Sequence, residues 1–164
     1  VIAHEDIIQS ITSANAILNL TPGSFGPGLT TDMVRDGSIL EISNQFIRPF
    51  YKSRAELAIN WLESDLADLP FRVHTPEGAI FLWLWLNDLP ITSDMLYQRL
   101  KARGVLVIPG EHFFPGLTEP WKHRHECIRV SYAQDQQTIE RGIAIIAEEI
   151  RAAYHNAIPS RPDT

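Results

Sequence analysis

The 164-residue chain has a single cysteine, Cys127, so no disulfide can close within it. A small secreted scaffold stapled by disulfides is thereby excluded, and the cytoplasm is the expected compartment. Positive charge is also scarce: 14 lysines and arginines stand against 20 acids, for a formal net charge of -6. A nucleic-acid binder carries a basic patch or stripe, so that class is excluded as well. The longest apolar run, AIFLWLWL from Ala79 to Leu86, is far short of the about 20 residues that a membrane helix needs. No Gly-x-Ser-x-Gly nucleophile turn, no phosphate loop ending in Lys-Ser/Thr, no internal repeat and no low-complexity segment is present. The chain opens on Val1-Ile2-Ala3, which reads like the end of a strand already under way. From that alone, a removed leader or tag and a piece of a longer protein both stay open.

What the chain does have is ordinary for a soluble globular domain: 45% hydrophobic and 21% charged residues. At this length roughly 70% of the unfolded surface can be buried on folding. Isoleucines at 7, 8, 11 and 17 suit a helix from Glu5 to Leu18. Thr21 to Gly28, TPGSFGPG, is expected to be an irregular loop, and helical spacing resumes from Leu29 to Leu40. A long helical pattern runs from Ser43 to Leu69, with Pro49 as a kink or first-turn residue and Pro70 as its end.

After Pro70 the period changes. Strands are expected at Phe71 to His74, Ala79 to Leu86, Val105 to Ile108 and Cys127 to Tyr132. The second has bulky residues on both faces and should lie inside a sheet covered on both sides. Thr92 or Ser93 should cap a helix running to Arg103, stopped by Gly104. Asp135 should cap a last helix whose Ile139, Ile143, Ile146 and Ile150 share one face. The expected class is α/β, with helices on a small sheet of about four strands.

Four groupings could carry chemistry. Arg129 lies in the apolar strand CIRVSY, sharing a face with Cys127 and Ser131. A guanidinium there needs an anion, and its planar fork suits a carboxylate; an edge-strand arginine paired with a surface acid is the plainer possibility. Gly78, beside Ala79, and Gly110 stand at strand boundaries, where a backbone can turn sharply or approach a ligand. His123, His125 and Cys127 alternate and, on a strand, would face one way; polar loop histidines are preferred over a zinc site. Hydroxyls and glycines of Thr21 to Gly28, with Thr21 and Ser24 foremost, suit either an anion nest or a plain turn. Lys52, Lys101 and Lys122 are the three lysines, and none follows a serine-rich turn.

Taken together, Pro76-Glu-Gly-Ala-Ile-Phe-Leu-Trp83, Leu100-Lys-Ala-Arg-Gly-Val-Leu-Val-Ile-Pro-Gly110, Phe113-Phe-Pro-Gly116 and Ile128-Arg-Val-Ser-Tyr-Ala133 resemble consecutive segments of class I/II aminotransferases of fold type I. The resemblance implies the C-terminal small domain of a pyridoxal 5'-phosphate enzyme. It implies residues 1–44 as the tail of the large cofactor domain, 45–158 as the small domain with its linking helix, and 159–164 as a loose tail. Arg129 would then bind the substrate α-carboxylate, with Gly78, Ala79 and Gly110 bordering the pocket. Thr21 and Ser24 would reach the neighbouring subunit's cofactor phosphate in a homodimer. The implied reaction moves an amino group between an amino acid, valine or alanine, and a 2-keto acid, pyruvate or 2-oxoisovalerate. The resemblance also places the cofactor-carrying lysine ahead of Val1. A piece of a longer enzyme, inactive and free of cofactor by itself, is therefore expected. The alternative is a non-catalytic aminotransferase-like domain for binding, oligomerisation or regulation.

Overall fold

A computed structural model describes residues 3–18 and 23–156, and the chain divides after Gln45 into two compact units. The first holds three helices: α1 (Glu5–Leu18), α2 (Phe25–Asp36) and α3 (Ser38–Ile42). Of the loop expected over Thr21–Gly28, Thr21 and Pro22 lie outside the described residues, and Phe25–Gly28 already belong to α2. Pro27 is tolerated as its third residue, since first-turn amides have no acceptor within the helix. Gly28 N donates to Ser24 O at 2.8 Å and closes that first turn. The unbroken helix expected from Leu29 to Leu40 is interrupted at Gly37, whose φ of +82° is left-handed and open to glycine without strain.

The division falls within a π-helical turn, Ser43–Ile47, and the second unit continues as α4 (Arg48–Asp65). Pro49 occupies the first turn of α4, so the long pattern is one helix with an altered entry, and it ends at Asp65, short of the Leu69 expected. Then come β1 (Phe71–Val73), β2 (Phe81–Leu86), α5 (Ser93–Ala102), β3 (Ile108–Pro109), β4 (Cys127–Ser131) and α6 (Gln136–His155). The four strands form one sheet in the order β1-β2-β4-β3, antiparallel at every pairing. All four strands depart from their expected bounds, and β1 ends at Val73, one residue before His74. β2 starts two residues late because Ala79 has φ +64°, outside the β region. β3 keeps only Ile108 and Pro109, and β4 ends at Ser131. The tail expected over 159–164 lies outside the described residues.

The core forms on one sheet face. Leu82, Leu84 and Leu86 of β2 meet Ile128 and Val130 of β4 beneath Leu62, Leu96, Leu100 and the isoleucine stripe of α6. Those isoleucines, at 139, 143, 146 and 150, follow steps of four, three and four, which keeps them on one side of a helix. Each leucine or isoleucine fully buried this way contributes about 1.5–3 kcal/mol. Both main caps are side-chain hydrogen bonds: Thr92 Oγ1 accepts from Met95 N at 3.2 Å, and Asp135 Oδ1 from Thr138 N at 3.0 Å. Two bidentate or paired arginines tie the helices at the surface, Arg151 to Asp68 and Arg103 to Glu148 and Glu149.

The expectation that β2 is covered on both faces needs correction. Leu82, Leu84 and Leu86 are buried, while Phe81, Trp83 and Trp85 on the other face are only half-buried. That second face is covered by two short 3₁₀ turns, Gly110–Phe113 and Lys122–His125, not by a helical layer.

Candidate carboxylate-binding site

The partly covered face carries Arg129. Antiparallel register sets Arg129 opposite Trp83 on β2 and Ile108 on β3. β4 is therefore an inner strand, and the edge-strand reading of Arg129 does not hold. Its guanidinium carbon lies 4.0 Å from the centre of the Phe81 ring and 5.0 Å from that of Phe113. Phe113 in turn meets Trp83 edge-on, with ring centres 5.0 Å apart. A guanidinium against aromatic faces gains about 0.5–2 kcal/mol, depending on how far it is desolvated. No acid pairs with Arg129 among the described residues, in contrast to Arg103 and Arg151. A half-buried cation, stacked and oriented but lacking a counter-charge, keeps its planar donors available to an anion.

The other expected residues fall into distinct places. Ala79 stands in an exposed turn just ahead of β2, in a left-handed conformation that costs a residue with a Cβ about 1–2 kcal/mol. Its carbonyl accepts a hydrogen bond from the Tyr132 hydroxyl at 2.9 Å, and Tyr132 N donates to Ile80 O at 3.0 Å. Burial pushes the Tyr132 phenol upward, with Tyr51 adding to it. Gly78 is exposed, and a Cβ there would meet open space. Gly110 is buried, and a Cβ would fall 2.8 Å from both Arg124 O and Cys127 Cβ. Its lack of a side chain is thus explained by packing of the 3₁₀ turn on β4, the turn that delivers Phe113 to Arg129. Thr21 lies outside the described residues. Ser24 belongs to the first unit, where it precedes α2 without a side-chain capping bond.

The histidines do not converge. Lys122–His125 is a 3₁₀ turn and not a strand, so His123 and His125 diverge. His125 Nδ1 lies 2.7 Å from Glu111 Oε1, while His123 stacks with Trp85 and Trp121 and approaches Cys127 Sγ at 3.4 Å. Among the described residues no three such side chains gather to hold a metal ion. The Cys127 thiol is pushed up to about 12, chiefly by burial, so it is a core group and not a nucleophile. Nearby, the buried Glu126 accepts from Trp85 Nε1 at 2.9 Å and from Asp88 N at 3.0 Å, anchoring the turn to β2.

Sequence reasoning missed Phe81, Phe113 and Tyr132. Phe81 was within reach: strand period two puts it on the face of Trp83, one step from Arg129. Phe113 carried no such signal, because a 3₁₀ turn with no periodic pattern brings it in from sixteen residues away.

A small antiparallel sheet backed by three helices, with an open arginine on an inner strand, is the form of an aminotransferase small domain. The chain has the fold of the C-terminal part of fold type I, pyridoxal-phosphate-dependent aminotransferases. It is 48% identical over 154 residues to the valine–pyruvate aminotransferase of Escherichia coli K12, a match that covers 94% of this chain and 37% of that protein. The crystal structure of valine–pyruvate aminotransferase from Salmonella typhimurium LT2 superposes with a TM-score of 0.80 at 46% identity, covering 95% of this chain and 40% of that one. The multiple substrate aminotransferase of Thermococcus profundus is similar at a TM-score of 0.70 and 26% identity, over 94% of this chain and 37% of that one. The chain thus spans well under half the length of the relatives it matches. No family model matches it.

The residues around Arg129 fit a carboxylate and not the family's cofactor. Lys52 pairs with Glu56 at 3.9 Å, Lys101 lies over Tyr97, and Lys122 bonds Asp88 and Glu126. None of the three contacts Arg129 or the rings on it. No helix among the described residues is long and apolar enough to cross a membrane.

Proposed function

We propose that this chain supplies the substrate-carboxylate clamp of a pyridoxal-phosphate-dependent transaminase. The amino donor is valine or alanine, and the acceptor is pyruvate or 2-oxoisovalerate. The reading rests on one observation above all: Arg129 is held against two aromatic rings with no acid among the described residues to neutralise it. Amino acid and keto acid share only their carboxylate as a fixed anion, so one planar, doubly donating group serves both halves of the exchange. The Phe81 and Phe113 rings fix the plane of the guanidinium and shed water from its faces. Gly78 and Ala79, at the exposed turn before β2, and Gly110, under Phe113, border this region. Similarity to valine–pyruvate aminotransferases supports the choice of small aliphatic substrates.

The cofactor and the lysine that carries it belong to another part of the enzyme, which works as a homodimer. The chain by itself is accordingly inactive. Mixed with pyridoxal phosphate, it should give no stable lysine-linked absorbance; a durable yellow adduct on Lys52, Lys101 or Lys122 would overturn that point.

The test of the clamp is Arg129→Lys in the full-length transaminase. An ammonium keeps the charge but loses the two-pronged contact, and each charge-assisted hydrogen bond is worth about 1.5–3 kcal/mol. KM for both the amino acid and the keto acid should rise about ten- to a hundredfold. Unchanged KM values would sink the assignment.

A further inference from the structure

We infer that Tyr132 is a positioning residue for the carboxylate site: its buried hydroxyl holds Ala79 in the left-handed turn that starts β2 and so seats Phe81 over Arg129. The inference rests on the clamp reading of Arg129. Tyr132 is 2% exposed, on the core side of the sheet, where a phenylalanine would pack equally well. A buried hydroxyl is costly unless bonded, and this one donates to Ala79 O at 2.9 Å. Ala79 is one of two non-glycine residues with positive φ among the described residues. Strain of this kind persists only where surrounding contacts over-determine it, and it gathers at functional sites.

The contacts here come from one residue. Tyr132 grips two consecutive peptides, through its hydroxyl at Ala79 O and its backbone N–H at Ile80 O. The next residue, Phe81, begins the paired strand opposite Ser131, the neighbour of Tyr132. Phe81 is also the ring nearest the guanidinium of Arg129, at 4.0 Å. The turn itself is exposed and precedes the paired strand, which starts at Phe81. Losing the hydroxyl lets Ala79 relax toward negative φ, which re-aims the start of β2 and releases the ring from Arg129.

The experiment compares Arg129→Lys, Tyr132→Phe and Tyr132→Phe/Ala79→Gly in the full-length transaminase, reading KM for the keto acid and kcat separately. Tyr132→Phe should raise KM about five- to tenfold, the equivalent of one ordinary hydrogen bond, with kcat at saturation much less affected. Glycine adopts positive φ as readily as negative, so Ala79→Gly in the same chain should recover most of that loss. A merely structural role for the hydroxyl predicts no such rescue. Ala79→Val makes the left-handed angle harder to hold without touching the core, and should raise KM by itself even where Tyr132→Phe folds poorly. If Arg129→Lys raises KM while Tyr132→Phe and Ala79→Val leave it unchanged, the strut is refuted and the clamp stands. Failure of the glycine rescue would also refute the strut. If Arg129→Lys leaves KM unchanged, the clamp reading falls and the strut's role in it falls too.

Discussion

Replacing Gly110 with alanine should destabilise the protein, while the same change at Gly78 should not. The added methyl at position 110 would sit 2.8 Å from Arg124 O and from Cys127 Cβ, and 2.9 Å from Cys127 O. Two of those three atoms are backbone and the third is a buried Cβ, so no flexible side chain can swing aside. Relief requires the Gly110–Phe113 turn to lift from β4. Overpacking of this kind costs about 1–3 kcal/mol. For a chain of this size that corresponds to a fall in Tm of roughly 2–12 °C. At Gly78 a Cβ meets nothing within 4 Å and the backbone is not left-handed. Gly78→Ala should therefore be neutral, or stabilising by about 0.4–1 kcal/mol through loss of unfolded-state freedom. Thermal melts and urea titrations of the two variants beside the parent decide the matter. A Gly110→Ala protein melting within a degree of the parent would refute the packing argument. A raised KM with an unchanged Tm would return Gly110 to a role toward ligand alone.

Other outcomes follow from the same geometry. Asp135 is held below its ordinary value by hydrogen bonds from the Thr138 hydroxyl and amide. Its folded-state value being depressed, the capping contribution is full at neutral pH and fades as pH falls through the carboxylate range. Asp135→Asn should lower Tm at pH 7, and the gap to the parent should close as the carboxylate is protonated in acid; a gap constant with pH would contradict the charged cap. Native Cys127, buried with its thiol pushed up to about 12, should resist iodoacetamide at pH 8 and react quickly in urea. Fast labelling of the folded protein, followed by mass spectrometry, would show the site open.

Much of the local order was legible in the sequence because it depends on neighbours three or four residues away. The isoleucines of α6 and the caps Thr92 and Asp135 behave as their spacing and chemistry dictate, whereas α4 stops at Asp65, ahead of the Leu69 expected from Pro70. Helix starts were less legible. Pro27 and Gly28 read as loop residues, yet the first turn accepts Pro27, whose position has no amide acceptor to lose, and Gly28 makes the first helical bond to Ser24 O. The histidines were preferred as loop residues over a shared strand face, and residues 122–125 do form a 3₁₀ turn, where alternation gives no common face.

The sequence alone determined that Arg129 lies in an apolar strand, that the chain builds a small sheet with helices, and that its motifs resemble an aminotransferase small domain. Residue type, period and short-range capping suffice for each of these. Only the tertiary structure decided that β4 is an inner strand and that Phe113 arrives from a distant turn. It alone revealed that Gly110 is small in order to let that turn seat, and that Tyr132 ties down the strained residue ahead of β2. The reason is physical. Strand order, ring stacking and steric room are set by which segments meet in space, and no periodicity along one segment encodes the position of another.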